Sequence, residues 1–167
     1  ATGRPQERTF QSQAMQDGVD REAEALGWYE ALTGTLVERT GYLSHTSIMA
    51  GCSLDGHLGD FDGIVEAKCP LPATHWEYLR TGVVPGEYAK QCLHNLLISG
   101  ASWCDFLSFH PEFPEKLRAK LIRSQRDERA IAEYEQKALA FLAEVQREYE
   151  AILTMADVAG TLKAAVA

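Results

Sequence analysis

The chain of 167 residues is 46% hydrophobic and 24% charged, the values of an ordinary globular domain. That composition excludes a disordered segment, a collagen-like chain and a coiled-coil rod. With 24 acidic residues against 16 Lys and Arg, the formal net charge is −8, so the protein is no uniformly basic nucleic-acid coat, although a basic groove fits on an acidic body.

Residues 1–17 are polar and Gln-rich and read as an arm or loop. They lack the apolar centre of a signal peptide, and the loop-like opening Ala1-Thr2-Gly3-Arg4-Pro5 predicts that residues precede it in the natural protein. From Gln16 to Leu32, Val19, Ala23, Leu26 and Tyr29 recur at helical spacing, and Gly34 marks the stop. Leu36–Arg39 and Gly41–Ala50 read as strands. Gly51 to Leu54 leads into a turn at Asp55-Gly56, and Phe61–Cys69 is a second strand, ended by Pro70 and Pro72. A short helix over Ala73–Arg80 closes at Gly82; a longer one, Gly86–Ser99, follows Pro85 and stops at Gly100. Trp103–Phe109 is a strand, and Lys116–Arg123 alternates so sharply that it predicts a strand with one basic face. Asp127–Met155 is a long amphipathic helix, with Ile131, Tyr134, Ala138, Phe141, Leu142, Val145, Tyr149 and Leu153 on its stripe. The tail 156–167 is Ala-rich and uninformative. The order predicts an α/β fold with a mixed sheet, and no apolar run reaches the ~18 residues a bilayer demands.

The chemistry-bearing stretch is Ser53-Leu54-Asp55-Gly56 followed by Glu66-Ala67-Lys68-Cys69-Pro70. Glu66 and Lys68 are two apart on one strand and share a face. A hairpin bridging the intervening residues brings Asp55 beside Glu66. Two carboxylates and the Ala67 carbonyl make a hard, all-oxygen half-site suited to Mg²⁺, which keeps waters and accepts a substrate phosphate. Lys68 is then placed to orient a water or to stabilise charge in a displacement at phosphorus. Cys52, Cys69, Cys92 and Cys104 form no C-x-x-C pair and read as reduced, mostly buried thiols of a cytosolic protein. His75 and His94 read as packing or hydrogen-bonding histidines, and Trp28, Trp76 and Trp103 as core.

These stretches resemble the PD-(D/E)XK nuclease superfamily and, more narrowly, the phage lambda-type exonucleases, the YqaJ-like viral recombinase family. The resemblance runs from about Met15 to Arg129 through five motifs in order. They are Gly18 to Ala25 with Tyr29-Glu30; Cys52-Ser53-Leu54-Asp55-Gly56, where Leu54 replaces the family's Pro; Glu66-Ala67-Lys68-Cys69-Pro70; Tyr88-Ala89-Lys90-Gln91; and Trp103 to Phe106 with Arg126-Asp127-Glu128. It implies a restriction-endonuclease-like mixed β-sheet flanked by helices with a long C-terminal helix, the nuclease domain occupying 18–155. It implies that Asp55, Glu66 and the Ala67 carbonyl bind Mg²⁺ (Mn²⁺ as substitute, two ions), that Lys68 is the catalytic lysine and Glu22 a further carboxylate, and that Ser53 and Gln91 hold a 5′-terminal phosphate. The family's upstream Arg- and Ser-bearing helix has no match here.

The implied activity is 5′-to-3′ exodeoxyribonuclease action on double-stranded DNA ends, exposing 3′ single strands for phage recombination. The implied partners are a DNA end, a ring-shaped homotrimer and the phage's single-strand annealing protein, in the host cytoplasm and not at a membrane. Another endonuclease or repair nuclease of the superfamily, or a non-catalytic DNA-binding protein on the same fold, is the alternative. Lys116, Arg118 and Lys120, with Arg4 and Arg8 on the arm, are candidate contacts to the DNA backbone.

Overall fold

A computed structural model describes the backbone of residues 13–166 and the side chains of residues 21–155. It divides into two compact units, one ending at Tyr134 and the other holding the chain from Glu135 onward.

In the first unit, helix α1 (Gln13–Thr33) precedes a two-stranded hairpin of β1 (Tyr42–Ser44) and β2 (Gly51–Ser53). Then come β3 (Gly56–Leu58), β4 (Gly63–Lys68), helices α2 (Pro72–Thr81) and α3 (Gly86–Ser99), β5 (Trp103–Phe109), β6 (Ala119–Gln125) and the start of α4 (Glu128–Val166). The main sheet runs β3-β4-β5-β6, with β4 and β5 parallel and both outer pairs antiparallel. A parallel pair needs a long crossover, and α2 and α3 supply it. This is the mixed α/β sheet flanked by helices, with a long C-terminal helix, that the sequence implied.

Strand alternation divides the core in two. Val65, Ala67, Leu107 and Phe109 pack beneath Ala25, Leu26 and Tyr29 of α1, whereas Ile64, Cys104 and Phe106 pack against Cys92, Leu96 and Leu97 of α3 and Tyr78 of α2. Buried polar groups tie each layer to the sheet. Asp105, wholly buried, accepts a bidentate pair from Arg123 (2.7 and 2.7 Å) and the Tyr29 hydroxyl (2.7 Å). On the other side the Ser108 hydroxyl donates to His75 Nδ1 (2.7 Å) while Nε2–H donates to the Leu117 carbonyl (2.8 Å). Burial lowers the His75 pKa and so favours the neutral ring that this pattern requires. His94 likewise bonds the Gly51 carbonyl and the Tyr134 hydroxyl, so both histidines serve packing and hydrogen bonding as expected. Trp76 does not join the core. It is exposed, because α2 faces the sheet through His75 and Tyr78 instead.

Several stretches differ from their predicted form. Gly41–Ala50 is not one strand: His45 Nδ1 accepts the backbone N–H groups of Ser47 (3.1 Å) and Ile48 (3.3 Å), reversing the chain into the hairpin. Leu36–Arg39 makes a single bridge, Glu38 to His57, in place of a strand. The alternation over Lys116–Arg123 is broken, because Glu115–Leu117 is a 3₁₀ turn after Pro114 and the strand begins at Ala119. The one basic face therefore does not form: Arg118 stacks 5.5 Å from the Trp28 ring centroid, and Arg123 turns to Asp105. Finally, α1 starts three residues before Gln16, and α4 runs on to Val166. Along the part of α4 in the second unit, Phe141, Val145, Tyr149 and Ile152 form an exposed apolar row.

Gly63 lies so close to the Trp103 indole that a Cβ there would overlap the ring's Cε2 and Nε1 atoms. Gly63→Ala should therefore lower stability by roughly 1–3 kcal/mol, the scale of overpacking in a tight core. Denaturant unfolding checks this; a midpoint equal to wild type contradicts the packing.

Candidate active site

The site gathers at the C-terminal end of β4. Asp55 follows β2 and stands one residue beyond the ladder pair Gly56 and Val65. The hairpin thereby brings it level with the last turn of the strand, where its Oδ2 accepts the Ala67 backbone N–H at 2.8 Å. Glu66 and Lys68 project from the α3 side of β4, as their two-residue spacing requires, and the Lys68 ammonium is paired with Glu66 Oε1.

Helix α3 meets them with three side chains on one face. The Gln91 amide donates to Glu66 Oε1 at 2.6 Å, and Asn95, one turn on, donates to Oε2 at 2.9 Å. Tyr88, one turn earlier, places its ring centroid 5.4 Å from the Lys68 ammonium. From the α1 side comes Glu22, bonded by Arg39 at 3.1 Å.

Glu66 is 1% exposed. Burial, and then the charge of Asp55, push its carboxyl up to about 7 despite Lys68 and Asn95. Burial also raises Asp55, and Glu22 adds to the shift, while the Ala67 N–H, Lys68 and Arg39 oppose it. Burial by itself would lower Lys68; its bond to Glu66 and the charges of Glu66 and Asp55 reverse the sign and keep it an ammonium. The thiols of Cys52 and Cys69 are protonated near neutrality. Burial, then the Glu66 charge, holds Cys52 up at about 11, and burial is the main cause of the same value at Cys69.

A buried carboxylate whose ionisation a half-buried neighbour opposes suits a hard divalent cation with oxygen ligands. Among the described residues no three His, Cys, Asp or Glu side chains form a ready metal cluster. An ion held by Asp55 and Glu66 would take its other ligands from backbone, water and substrate phosphate, as Mg²⁺ does.

The structure thus brings together Asp55, Glu66, Lys68 and Gln91, with Glu22 on the flank. Ser53 is exposed on β2. Lys116 and Lys120 hold no ion pair among the described residues, whereas Arg118 is stacked on Trp28. Arg4 and Arg8 lie outside the described residues. Sequence reasoning missed Asn95, Arg39 and the Tyr88 contact. Asn95 had a legible signal, since it is four residues from Gln91 and shares its helical face.

The model of the YqaJ-like viral recombinase domain matches residues 1–102. An alkaline exonuclease, LHK-Exo of Laribacter hongkongensis, is 37% identical over 89% of this chain and 76% of its own, with a TM-score of 0.83. The chain belongs to the YqaJ-like viral recombinase family. As a member it is a nuclease acting on DNA. The LHK-Exo complex with dAMP gives a TM-score of 0.81 at 37% identity, covering 86% of this chain and 74% of that one. A phage-related exonuclease of Haemophilus somnus 129PT shares the fold at 13% identity, with a TM-score of 0.63 over 80% of this chain and 70% of that one. No curated protein matches the chain. No described helix of this YqaJ-like recombinase is long and apolar enough to cross a membrane.

Proposed function

We propose that the protein is a Mg²⁺-dependent exonuclease that removes one strand of duplex DNA from its 5′ end and leaves 3′ single strands for phage recombination. The observation that carries this reading is the buried Glu66 carboxylate on β4, the half-buried Asp55 carboxylate beside it in the turn before β3, and the Lys68 ammonium paired with Glu66.

Asp55, Glu66 and the Ala67 carbonyl would hold the metal, with Mn²⁺ as a substitute and room in the proposal for two ions. When bound, the metal supplies Lewis acidity toward a phosphate oxygen and lowers the pKa of a water it holds. The protein's own groups do the rest. Gln91 and Asn95 fix both Glu66 oxygens from one helix, so the carboxylate keeps its orientation as substrate arrives. Lys68 stays charged through neutral pH and donates protons in hydrogen bonds to the oxygens on which charge develops. Its contact with the Tyr88 ring limits its freedom to swing away. Gln91 uses one amide proton on Glu66 and has a second for a phosphate oxygen, and the exposed Ser53 hydroxyl is the other proposed ligand of a 5′-terminal phosphate. Glu22 is the proposed further carboxylate. Lys116 and Lys120 are the proposed contacts to the DNA backbone. Self-association as a ring-shaped trimer would cover apolar surface such as the row on α4, and handing of the 3′ strand to an annealing protein completes the reading.

The test uses three substrates with Mg²⁺: linear duplex with a 5′ phosphate, the same duplex with a 5′ hydroxyl, and a covalently closed circle. Rapid loss of the phosphorylated linear DNA, slower loss of the hydroxyl form and an intact circle are expected. Cutting of the circle would make the protein an endonuclease of the same superfamily. Binding without cutting of any substrate would make it a non-catalytic relative.

A further inference from the structure

We propose that Arg39 is a substrate-binding residue of this nuclease, a guanidinium that Glu22 holds at the rim of the site until a phosphate of the DNA strand takes its place. The proposal rests on the exonuclease reading and adds a cation to the substrate contacts it names.

The backbone fixes where Arg39 stands. Glu38 and His57 form an antiparallel bridge on the free edge of β3, with bonds of 2.9 Å in both directions. Continuing that register by one residue sets Arg39 opposite Gly56, immediately after Asp55. Val37, two residues earlier, is packed against Gly56, and a side chain at Gly56 would strike it. The alternation that points Val37 toward α1 points Arg39 the same way, where Glu22 receives it at 3.1 Å. Its charge reaches Asp55, which it stabilises in ionised form.

The ion pair itself is a weak structural device. The Arg39 side chain is 57% exposed and, among the described residues, makes one hydrogen bond through one nitrogen, and such pairs contribute little to stability in water. Three other arginines near the sheet are committed elsewhere. Arg123 is clamped on Asp105, Arg118 lies over Trp28, and Arg126 bonds Glu128 and the Leu96 carbonyl. Among the described residues, Arg39 uses only one nitrogen of its donor fork. It also faces a local excess of negative charge: Asp55, Glu66 and Glu22 stand against Lys68 and Arg39. A polyanionic strand approaching such a group needs a mobile cation that can exchange a carboxylate for a phosphate, and a guanidinium does so with two parallel bonds.

The experiment compares wild type with Arg39→Gln, Arg39→Ala and Arg39→Lys. Steady-state cleavage is measured on 5′-phosphorylated and 5′-hydroxyl duplexes. Binding of the same duplexes is measured by fluorescence anisotropy with Ca²⁺ in place of Mg²⁺, over a series of salt concentrations. Arg39→Gln and Arg39→Ala are expected to raise KM and weaken binding by about tenfold or more, as for loss of a charge-assisted bond, with kcat changed by less than about threefold. The salt slope of binding should fall by about one, the mark of one lost phosphate contact. Arg39→Lys should recover part of the affinity but not the two-pronged grip. A defect confined to phosphorylated ends assigns the terminal phosphate, and one shared by both ends assigns an internal phosphodiester. Unchanged KM, affinity and salt slope in Arg39→Gln would overturn the proposal, as would a loss of kcat alone. If the wild-type chain does not cut DNA, the exonuclease reading fails, and the binding arm still decides the role of Arg39.

Discussion

Lys68→Ala is expected to abolish cleavage while leaving DNA binding, and at alkaline pH the metal titration, close to wild type. Lys68 is the only ammonium bonded to the carboxylate pair among the described residues, and it is 24% exposed, so it faces the opening of the site and is not sealed within it. Removing an electrostatic group aimed at developing charge costs a factor of about 10²–10³ in kcat. The two carboxylates remain, so the cation's ligands remain. Removing the ammonium also removes the charge that opposes the upward shift of Glu66 and Asp55. The variant should therefore need a higher pH to reach full metal affinity. Single-turnover cleavage with calorimetric Mn²⁺ titration checks both points. Retention of a tenth or more of the wild-type rate would exclude Lys68 from the chemistry.

Glu66→Gln should have the second large effect, with opposite signs on function and stability. Metal binding and cleavage should be lost, because half of the carboxylate pair is gone. Without metal, however, the variant should be the more stable protein at pH 8. The carboxyl of Glu66 titrates at about 7 in the folded chain against an ordinary 4.5. A group raised in this way contributes stability that is present below pH 4.5 and lost as pH rises through about 7. The interval corresponds to a penalty on the order of 3 kcal/mol at pH 8. The neutral amide of the variant carries no such penalty, and a flipped Asn95 amide can accept from it. Metal-free melting should show the variant above wild type at pH 8, by about 5 °C or more, with the gap closing toward pH 5. Added Mg²⁺ or Mn²⁺ should raise the wild-type curve alone. A variant that still responds to metal would remove Glu66 from the ligand set.

Much of this arrangement was legible in the residues. Helix α3 and strand β5 fall at their predicted limits, because Pro85 and Gly100 bound the one and the apolar run Trp103 to Phe109 defines the other. Asp55, Glu66 and Lys68 were legible because strand periodicity and a hairpin's length are local rules. What could not be read was set by particular side-chain partners and turns, some adjacent and some distant in the chain. The turn at His45 overrides strand-forming Thr46 and Ile48 through a side-chain acceptor. The basic alternation around Arg118 dissolves because Pro114 starts a 3₁₀ turn and because Trp28 and Asp105 recruit two of its arginines. Asn95 and Arg39 are ordinary surface-type residues until α3 and the edge of β3 bring them to the carboxylates.

The crossover between β4 and β5 has a consequence for how such a protein diverges. Every side chain assigned to the chemistry lies between Glu22 and Asn95, within the segment matched by the family model. On the proposed reading, the metal ligands, the lysine and the groups that orient them therefore come from one uninterrupted segment of chain. Changes on the exposed apolar row of α4 can then alter what the molecule docks with while that segment stays the same.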